Sequence, residues 1–454
     1  MSLPGYAEYK DSRVDWLGEV PAHWNVNKIK TVIRSIDSGV SVNAADTPAE
    51  DQSIGVLKTS CVYDGTFRPE ENKAVVEEDL NRVACPVKKD AMIVSRMNTP
   101  SLVGAAGLVK ESKPNIYLPD RLWQVHFQSC SPAFVHYWTL SQAYRCQVEI
   151  ACSGASSSMQ NLGQDQFKSF LIPLPPDDEQ VSIAGFLDRE TAKIDALIAE
   201  QETLLALLAE KRQATISHAV TRGLDPDVPM KGSGIAWLGE VPAHWEVRPL
   251  KAIVSTPITD GPHETPQFLE EGVPFVSAEA VSGGAINLEK VRAYISHEDD
   301  VRYSQKYKPQ LHDIYMVKSG ATTGVTAIVE GRTDFNIWSP LAAIRCNTQM
   351  ADPYYVLNYL RCKNFQEAVA LNWSFGTQQN IGMGVLGDLA VVLPPLEEQR
   401  EIARHLDSQL GVFPTMREAA ETAVTLLRER RSALIAAAVT GKIDVRGHAE
   451  AQAA

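Results

Sequence analysis

The nine residues WLGEVPAHW occur twice, at 16–24 and at 237–245. Nine consecutive identities at one offset establish an internal duplication. Val26 with Val247 and Lys30 with Lys251 extend the match. A second repeated block lies downstream, LPPDDEQ at 174–180 and LPPLEEQ at 393–399. Its register holds through Ile183/Ile402, Leu187/Leu406, Asp188/Asp407, Leu208/Leu427, Arg212/Arg431 and Ile216/Ile435 to AVT at 219–221 and 438–440. Just upstream, Gln160-Asn161-Leu162-Gly163 matches Gln379-Asn380-Ile381-Gly382. A period of about 220 residues is a duplicated domain, not a short-repeat solenoid. The ends of the two copies agree, whereas their middles, 31–159 and 252–378, match only faintly.

The stretch after each LPP block has helical periodicity. In the first copy the apolar positions Ile183, Leu187, Ile194, Ile198, Leu205, Leu208, Ile216 and Ala219 recur every three or four residues, with some turns skipped. Pro175-Pro176 end the preceding strand. Asp177-Asp178-Glu179 put negative charge on the first turn, where the helix dipole favours it, and Gly223 stops the helix. A helix over 177–221 is on the order of 65 Å long, far beyond the usual length. A single apolar stripe of that length requires a partner. The second copy, about 397–440, supplies it, as an antiparallel pair. Gly411 and Pro414 stand where the first copy has Ala192 and Asp195, so the second helix is predicted to kink or break there.

The middles read as mixed α/β with much strand. Apolar runs at 54–57, 91–94, 273–276 and 314–317 are bounded by turn residues. Gly104 and Gly107 mark a loop in the first copy, Gly320 and Gly324 in the second. The whole chain carries a net charge of −13, which by itself argues against nucleic acid. Distribution reverses that. Residues 85–125 hold six basic side chains (Lys88, Lys89, Arg96, Lys110, Lys113, Arg121) against three acidic ones, and 302–345 hold six (Arg302, Lys306, Lys308, Lys318, Arg332, Arg345) against three. Two local basic faces at the same place in each repeat are the pattern of two nucleic-acid footprints; solvated surface charge is the plainer reading. Side chains able to contact base edges or phosphates accompany them: Lys88, Lys89, Arg96, Asn98, Ser101, Arg121 and Gln124, then Ser158 and Gln160, in the first copy; Lys306, Lys308, Lys318, Ser319, Thr322, Thr323 and Arg332, then Thr377, Gln378 and Gln379, in the second. Arg and Lys suit guanine, and Asn and Gln suit adenine, by their donor and acceptor patterns.

Catalytic signatures are missing. Gly441-Lys442 lacks the upstream glycine and following hydroxyl of a phosphate loop, and the sequence contains neither F-x-G-x-G nor N-P-P-[YF]. His23 and His244 stand alone in sequence and read as structural. The seven cysteines form no C-x-x-C pair, so neither a metal site nor a disulfide framework is expected. At 454 residues the chain is too long for one ordinary core. It has no apolar run long enough to span a membrane and no apolar signal segment at its start, so a cytoplasmic location is expected.

The order is now specific: a W-L-G-E-V-P-x-H-W segment, a variable middle, L-P-P-x-x-E-Q, a long helix closing on A-V-T, and all of it again. This resembles the specificity subunit of type I restriction–modification systems over essentially the whole chain. The resemblance implies an α+β architecture of two mixed α/β, strand-rich target recognition domains separated by two long antiparallel helices with pseudo-two-fold symmetry. It implies target recognition domains at 1–172 and 231–391, a central helical region at 173–230 and a distal one at 392–454. Each recognition domain would read half of a bipartite site in double-stranded DNA, while the helices set the spacer and dock two methylation subunits. Restriction subunits would join for cleavage. S-adenosylmethionine, ATP and Mg2+ would belong to those partners, and this chain would bind no cofactor and catalyse nothing. A duplicated scaffold that binds only proteins is the alternative from another class.

Overall fold

The structure, a computed structural model, describes residues 3–50, 53–152, 159–281, 283–375 and 379–447. The chain forms two units, Met1–Gln201 with Thr422–Ala454, and Glu202–Glu421. Both boundaries fall inside long helices. Each unit thus holds the first half of its own copy's helix and the second half of the other copy's.

The first long helix is continuous over Asp177–Arg222, 46 residues. The second is interrupted, running Leu396–Leu410 and then Phe413–Val439. The interruption sits where Gly411 and Pro414 predicted it. Gly411 stays in helical conformation and its N–H still reaches the Asp407 carbonyl at 3.0 Å. Pro414 has no N–H to continue the ladder, but it falls in the first turn of the following segment, where none is required.

In the first unit the two helical segments are antiparallel. Ile183 and Leu187 share a core with Ile435, Ala438 and Val439, and Arg431 Nε donates to Asp195 Oδ1 at 2.8 Å one turn further along. The second unit repeats this with the helices exchanged: Ile216, Ala219 and Val220 pack with Ile402 and Leu406. The residue aligned with Asp195 is Pro414 there, so Arg212, the counterpart of Arg431, loses that carboxylate.

The faintly matching middles have one topology. In the first unit an antiparallel sheet orders Ala106–Leu108, Met92–Ser95, Leu122–Phe127 and Ile33–Ser38. In the second, Thr326–Ile328, Ile314–Val317, Leu341–Ile344 and Thr259–Asp260 occupy the same order. A second sheet also recurs. Gly55–Leu57 pairs antiparallel with Asn72–Ala74 and parallel with Lys113–Tyr117, as Val273–Val276 does with Ala293–Ile295 and Asn336–Ile337. The central strands are buried on both faces, so they read as unbroken apolar runs. All four strands expected from those runs are present, two of them starting one residue later than the runs do.

The repeated ends of each copy form one assembly. The strand Asn25–Lys28 pairs with Leu171–Leu174, and Glu246–Pro249 with Ala390–Leu393. Trp24 and Trp245 are fully buried. Glu179 is 3% exposed and accepts from Tyr6 Oη at 2.6 Å, His23 Nε2 at 2.8 Å and Trp24 Nε1 at 3.0 Å. Glu398 accepts from His244 Nε2 at 2.9 Å and Trp245 Nε1 at 3.0 Å. The two histidines, expected to stand alone, each have a carboxylate partner that the sequence spacing hid. Glu179 likewise does more than complement a helix dipole. The next residue is also engaged in both copies: Gln180 Oε1 accepts from Ser131 N and Gln399 Oε1 from Asp352 N, each at 2.8 Å.

Candidate nucleic-acid interface

The candidate residues gather where the central strand of each unit ends. Met92–Ser95 runs into Arg96 and Ile314–Val317 into Lys318, and the backbone treats the two cations alike. Arg96 N donates to Arg121 O at 3.0 Å and its own carbonyl accepts from Leu162 N at 2.8 Å. Lys318 N donates to Pro340 O at 2.8 Å and its carbonyl accepts from Ile381 N at 2.9 Å. These bonds bring the repeated Gln-Asn segment beside the strand end: Gln160 pairs with Asn98, and Asn380 with Ser319.

A tight loop follows in both copies. Gly104 N donates to Ser95 O at 2.7 Å, and Gly324 N to Val317 O at 2.8 Å. Both glycines have positive φ, +80° and +96°, a conformation L side chains rarely adopt. Arg145 secures the first loop, donating to the Val103 and Pro100 carbonyls at 2.7 and 3.1 Å. Gln366 Nε2 secures the second at Gly324 O, 2.9 Å. Sequence reading missed both residues, which lie on helices well downstream.

The strand end therefore gathers Arg96, Ser101, Arg121 and Gln160 in the first unit, and Lys318, Ser319, Thr322, Thr323 and Gln379 in the second. Arg121, Ser101 and Gln379 are exposed there. Arg96 Nε is held by the Asp120 carbonyl at 2.6 Å, and Thr323 Oγ1 donates to Gly320 O at 2.7 Å. Lys306 reaches the same end by way of Asp260.

Other candidates fall elsewhere. Lys88 and Lys89 are exposed in the turn before Met92–Ser95, at the opposite end of that strand. Lys308 and Arg332 are likewise at the far end of Ile314–Val317, and Arg332 is doubly bonded to Asp334 at 2.8 and 2.5 Å. Asn98 and Gln124 are corrected by burial. Asn98 is 7% exposed, with Nδ2 on Tyr63 Oη and Ser95 Oγ and Oδ1 taking Thr99 N. Gln124 is fully buried, accepting from Lys88 N at 2.9 Å and donating to Pro86 O at 3.2 Å. Both amides have their hydrogen bonds inside the protein, and neither presents a free edge at the surface. Ser158, Thr377 and Gln378 lie outside the described residues.

Asp260 is the carboxylate that sequence reading overlooked. It is 1% exposed and meets Lys306 Nζ at 2.6 Å, His263 Nε2 at 2.9 Å and Lys318 Nζ at 3.1 Å. Burial alone would raise its pKa; hydrogen bonds and charge from Lys306 and Lys318 outweigh that and hold the carboxyl below its ordinary range. Two of the remaining basic residues of 302–345 are also partnered, Arg345 by buried Asp313 at 2.7 Å and Arg302 by Asp299 at 2.6 Å, so this stretch presents less free positive charge than its composition suggests.

Among the described residues no group of three His, Cys, Asp or Glu side chains could hold a metal ion, and no helix is long and apolar enough to cross a membrane. All seven cysteines are free thiols, with Cys61, Cys152, Cys346 and Cys362 buried.

Residues 21–205 and 242–411 match the family described as type I restriction modification DNA specificity domain. The chain is 25% identical over 307 residues to the type I restriction enzyme EcoBI specificity subunit of Escherichia coli, covering 66% of this chain and 64% of that protein. It is 22% identical over 451 residues to the EcoKI specificity subunit of Escherichia coli strain K12, covering 95% of this chain and 92% of that one. A solved chain of a type I R-M system superposes with a TM-score of 0.61 at 19% identity, over 92% of this chain and 98% of the other, a likeness of fold. The alignment to the EcoBI subunit thus spans just under two thirds of that protein, whereas the family match, the twin topology and the paired strand ends occur in both copies. It belongs to the type I restriction modification DNA specificity domain family and carries that domain twice.

Proposed function

We propose that the chain is the DNA-reading specificity subunit of a type I restriction–modification complex, with 1–172 and 231–391 as target recognition domains and 173–230 and 392–454 as helical regions. Each recognition domain reads one half of a bipartite site in double-stranded DNA. The helices set the unread spacer and dock two methylation subunits, and restriction subunits join for cleavage. The chain acts in the cytoplasm, contributes no chemistry of its own and leaves S-adenosylmethionine, ATP and Mg2+ to its partners.

The observation that carries this reading is the pair of strand ends. One backbone frame presents Arg96, Arg121 and Gln160 in one unit and Lys318, Thr322 and Gln379 in the other. Equal frames with unequal side chains suit two readers of two different half-sites. Half-sites read on one face of B-DNA lie about 34–36 Å apart, a distance within the reach of a 46-residue helix. Within the second unit that helix also leaves Leu204 and Leu207 exposed, apolar surface of the kind a docked subunit covers.

Mapping adenine methylation across the genome with and without this chain tests the reading. A split motif that disappears with the chain supports it; an unchanged methylation pattern overturns it.

A further inference from the structure

The cluster around Asp260 has a composition that a structural ion pair does not require. One buried carboxylate needs one cation. Asp260 has two ammonium groups and an imidazole within 3.1 Å. With Asp260 ionised, Lys306 and Lys318 leave a surplus positive charge even with His263 neutral. The groups come from separate places: the turn after Thr259–Asp260, the segment before Ile314–Val317, and that strand's end. The Lys318 side chain is 11% exposed, whereas Lys306 and His263 are 49% and 68% exposed. The surplus charge therefore reaches solvent through Lys306 and His263, while Lys318 joins the cluster directly to Ser319 and the loop that follows it.

Backbone fixes the cluster's depth. A Cβ on Gly261 would lie 2.0 Å from the Ile337 carbonyl oxygen, so the residue after Asp260 must be glycine and the turn must hug the neighbouring strand. The first unit shares this close approach, a Cβ on Gly39 falling 1.7 Å from Leu118 O. Its residue at the Asp260 position is Ser38, paired with Trp123 as Asp260 is paired with Ala342. Only the second of these two equivalent positions carries a carboxylate.

On the reading that the strand ends face DNA, we propose that Asp260 is the positioning residue of a phosphate-contact site in the second unit, holding Lys306 and Lys318 so that each turns its remaining N–H groups to the DNA backbone. Each ammonium has three N–H donors; Lys306 spends one on Asp260 Oδ1 at 2.6 Å and one, longer, on Gly261 O at 3.4 Å, and Lys318 Nζ lies 3.1 Å from Asp260 Oδ2, so both keep a donor for phosphate oxygens. Lysine serves this role as a point charge, and backbone contacts set register without naming a base. The site strengthens binding to the second half-site without changing which bases are preferred.

The test is Asp260→Asn, nearly isosteric, in the complex with methylation subunits, titrated against a duplex carrying the mapped motif at several salt concentrations. Simple electrostatics predicts tighter binding, since a negative charge is removed. The positioning role predicts the opposite: affinity about tenfold weaker and a salt slope lower by about one to two, equally for duplexes with base changes in either half. Thermal denaturation checks that the variant folds. If it does not, Lys306→Gln, whose side chain is half exposed, carries the test with a slope lower by about one. Wild-type complex that fails to bind the mapped duplex overturns the DNA-reading assignment. Wild-type binding with equal or tighter binding by Asp260→Asn, or with an unchanged slope for Lys306→Gln, overturns the phosphate site alone.

Discussion

Glu179 and Trp24 meet across 155 positions of sequence, the indole Nε1 donating to the carboxylate at 3.0 Å in a fully buried contact. Glu398 and Trp245 repeat it at 3.0 Å. The two most repetitive stretches of the chain, W-L-G-E-V-P-A-H-W and L-P-P-x-x-E-Q, are thus the two sides of one lock. Each lock ties the segment entering a unit to the first turn of its long helix. Removing the acid from the first lock leaves a buried tyrosine hydroxyl and a buried indole without an acceptor. Glu179→Ala is expected to cost about 2–4 kcal/mol, since orphaned buried donors cost roughly 1–3 kcal/mol each and do not add fully. Glu398 takes two donors and is 30% exposed, so Glu398→Ala should cost visibly less. Urea denaturation of the two variants, side by side, checks the order; equal losses would contradict it.

The break in the distal helix is a stability reserve. Gly411 already has helical φ and ψ, and a Cβ there would lie 3.3 Å from the Asp407 carbonyl oxygen and 3.9 Å from that of Ser408. Gly411→Ala should raise stability by about 0.5–1 kcal/mol, the usual gain for alanine over glycine in a helix. A lower melting temperature for this variant would mean that the Asp407 carbonyl cannot shift and that the break is required.

Burial separates the candidates that hold the fold from those that face outward. Gln124→Ala removes an amide with both ends bonded, so it should cost about 1–3 kcal/mol and leave the methylated motif unchanged. Arg121→Gln, at an exposed residue, should leave melting unchanged within about 0.5 kcal/mol and weaken DNA binding. Denaturation and DNA titration on the same samples decide this, and a motif altered by Gln124→Ala would contradict the assignment.

Much of the architecture was legible because its signals are local. Periodicity gave the 46-residue helix to within a residue, Gly411 and Pro414 gave the break, and uninterrupted apolar runs gave the central strands. The interface was legible only in part. Arg96 and Lys318 stand at equivalent strand ends because both follow those runs, which sequence shows. Asn98 and Gln124 look like base readers in sequence, but an amide's partners come from strands and loops up to 39 positions away. Asp260 carries no signal of its own, since its ammonium partners lie 46 and 58 positions downstream. Larger separations, 156 and 154 positions, hid the carboxylates that hold His23 and His244.

If the two variable middles read separate halves of one site, either can be exchanged without the other. Exchanging residues 31–159 for the corresponding segment of another family member, then mapping genomic methylation, tests it most directly. The expected motif has one half replaced, the other half retained and the spacer unchanged. A motif in which both halves change, or neither does while the chain still assembles and supports methylation, would contradict it.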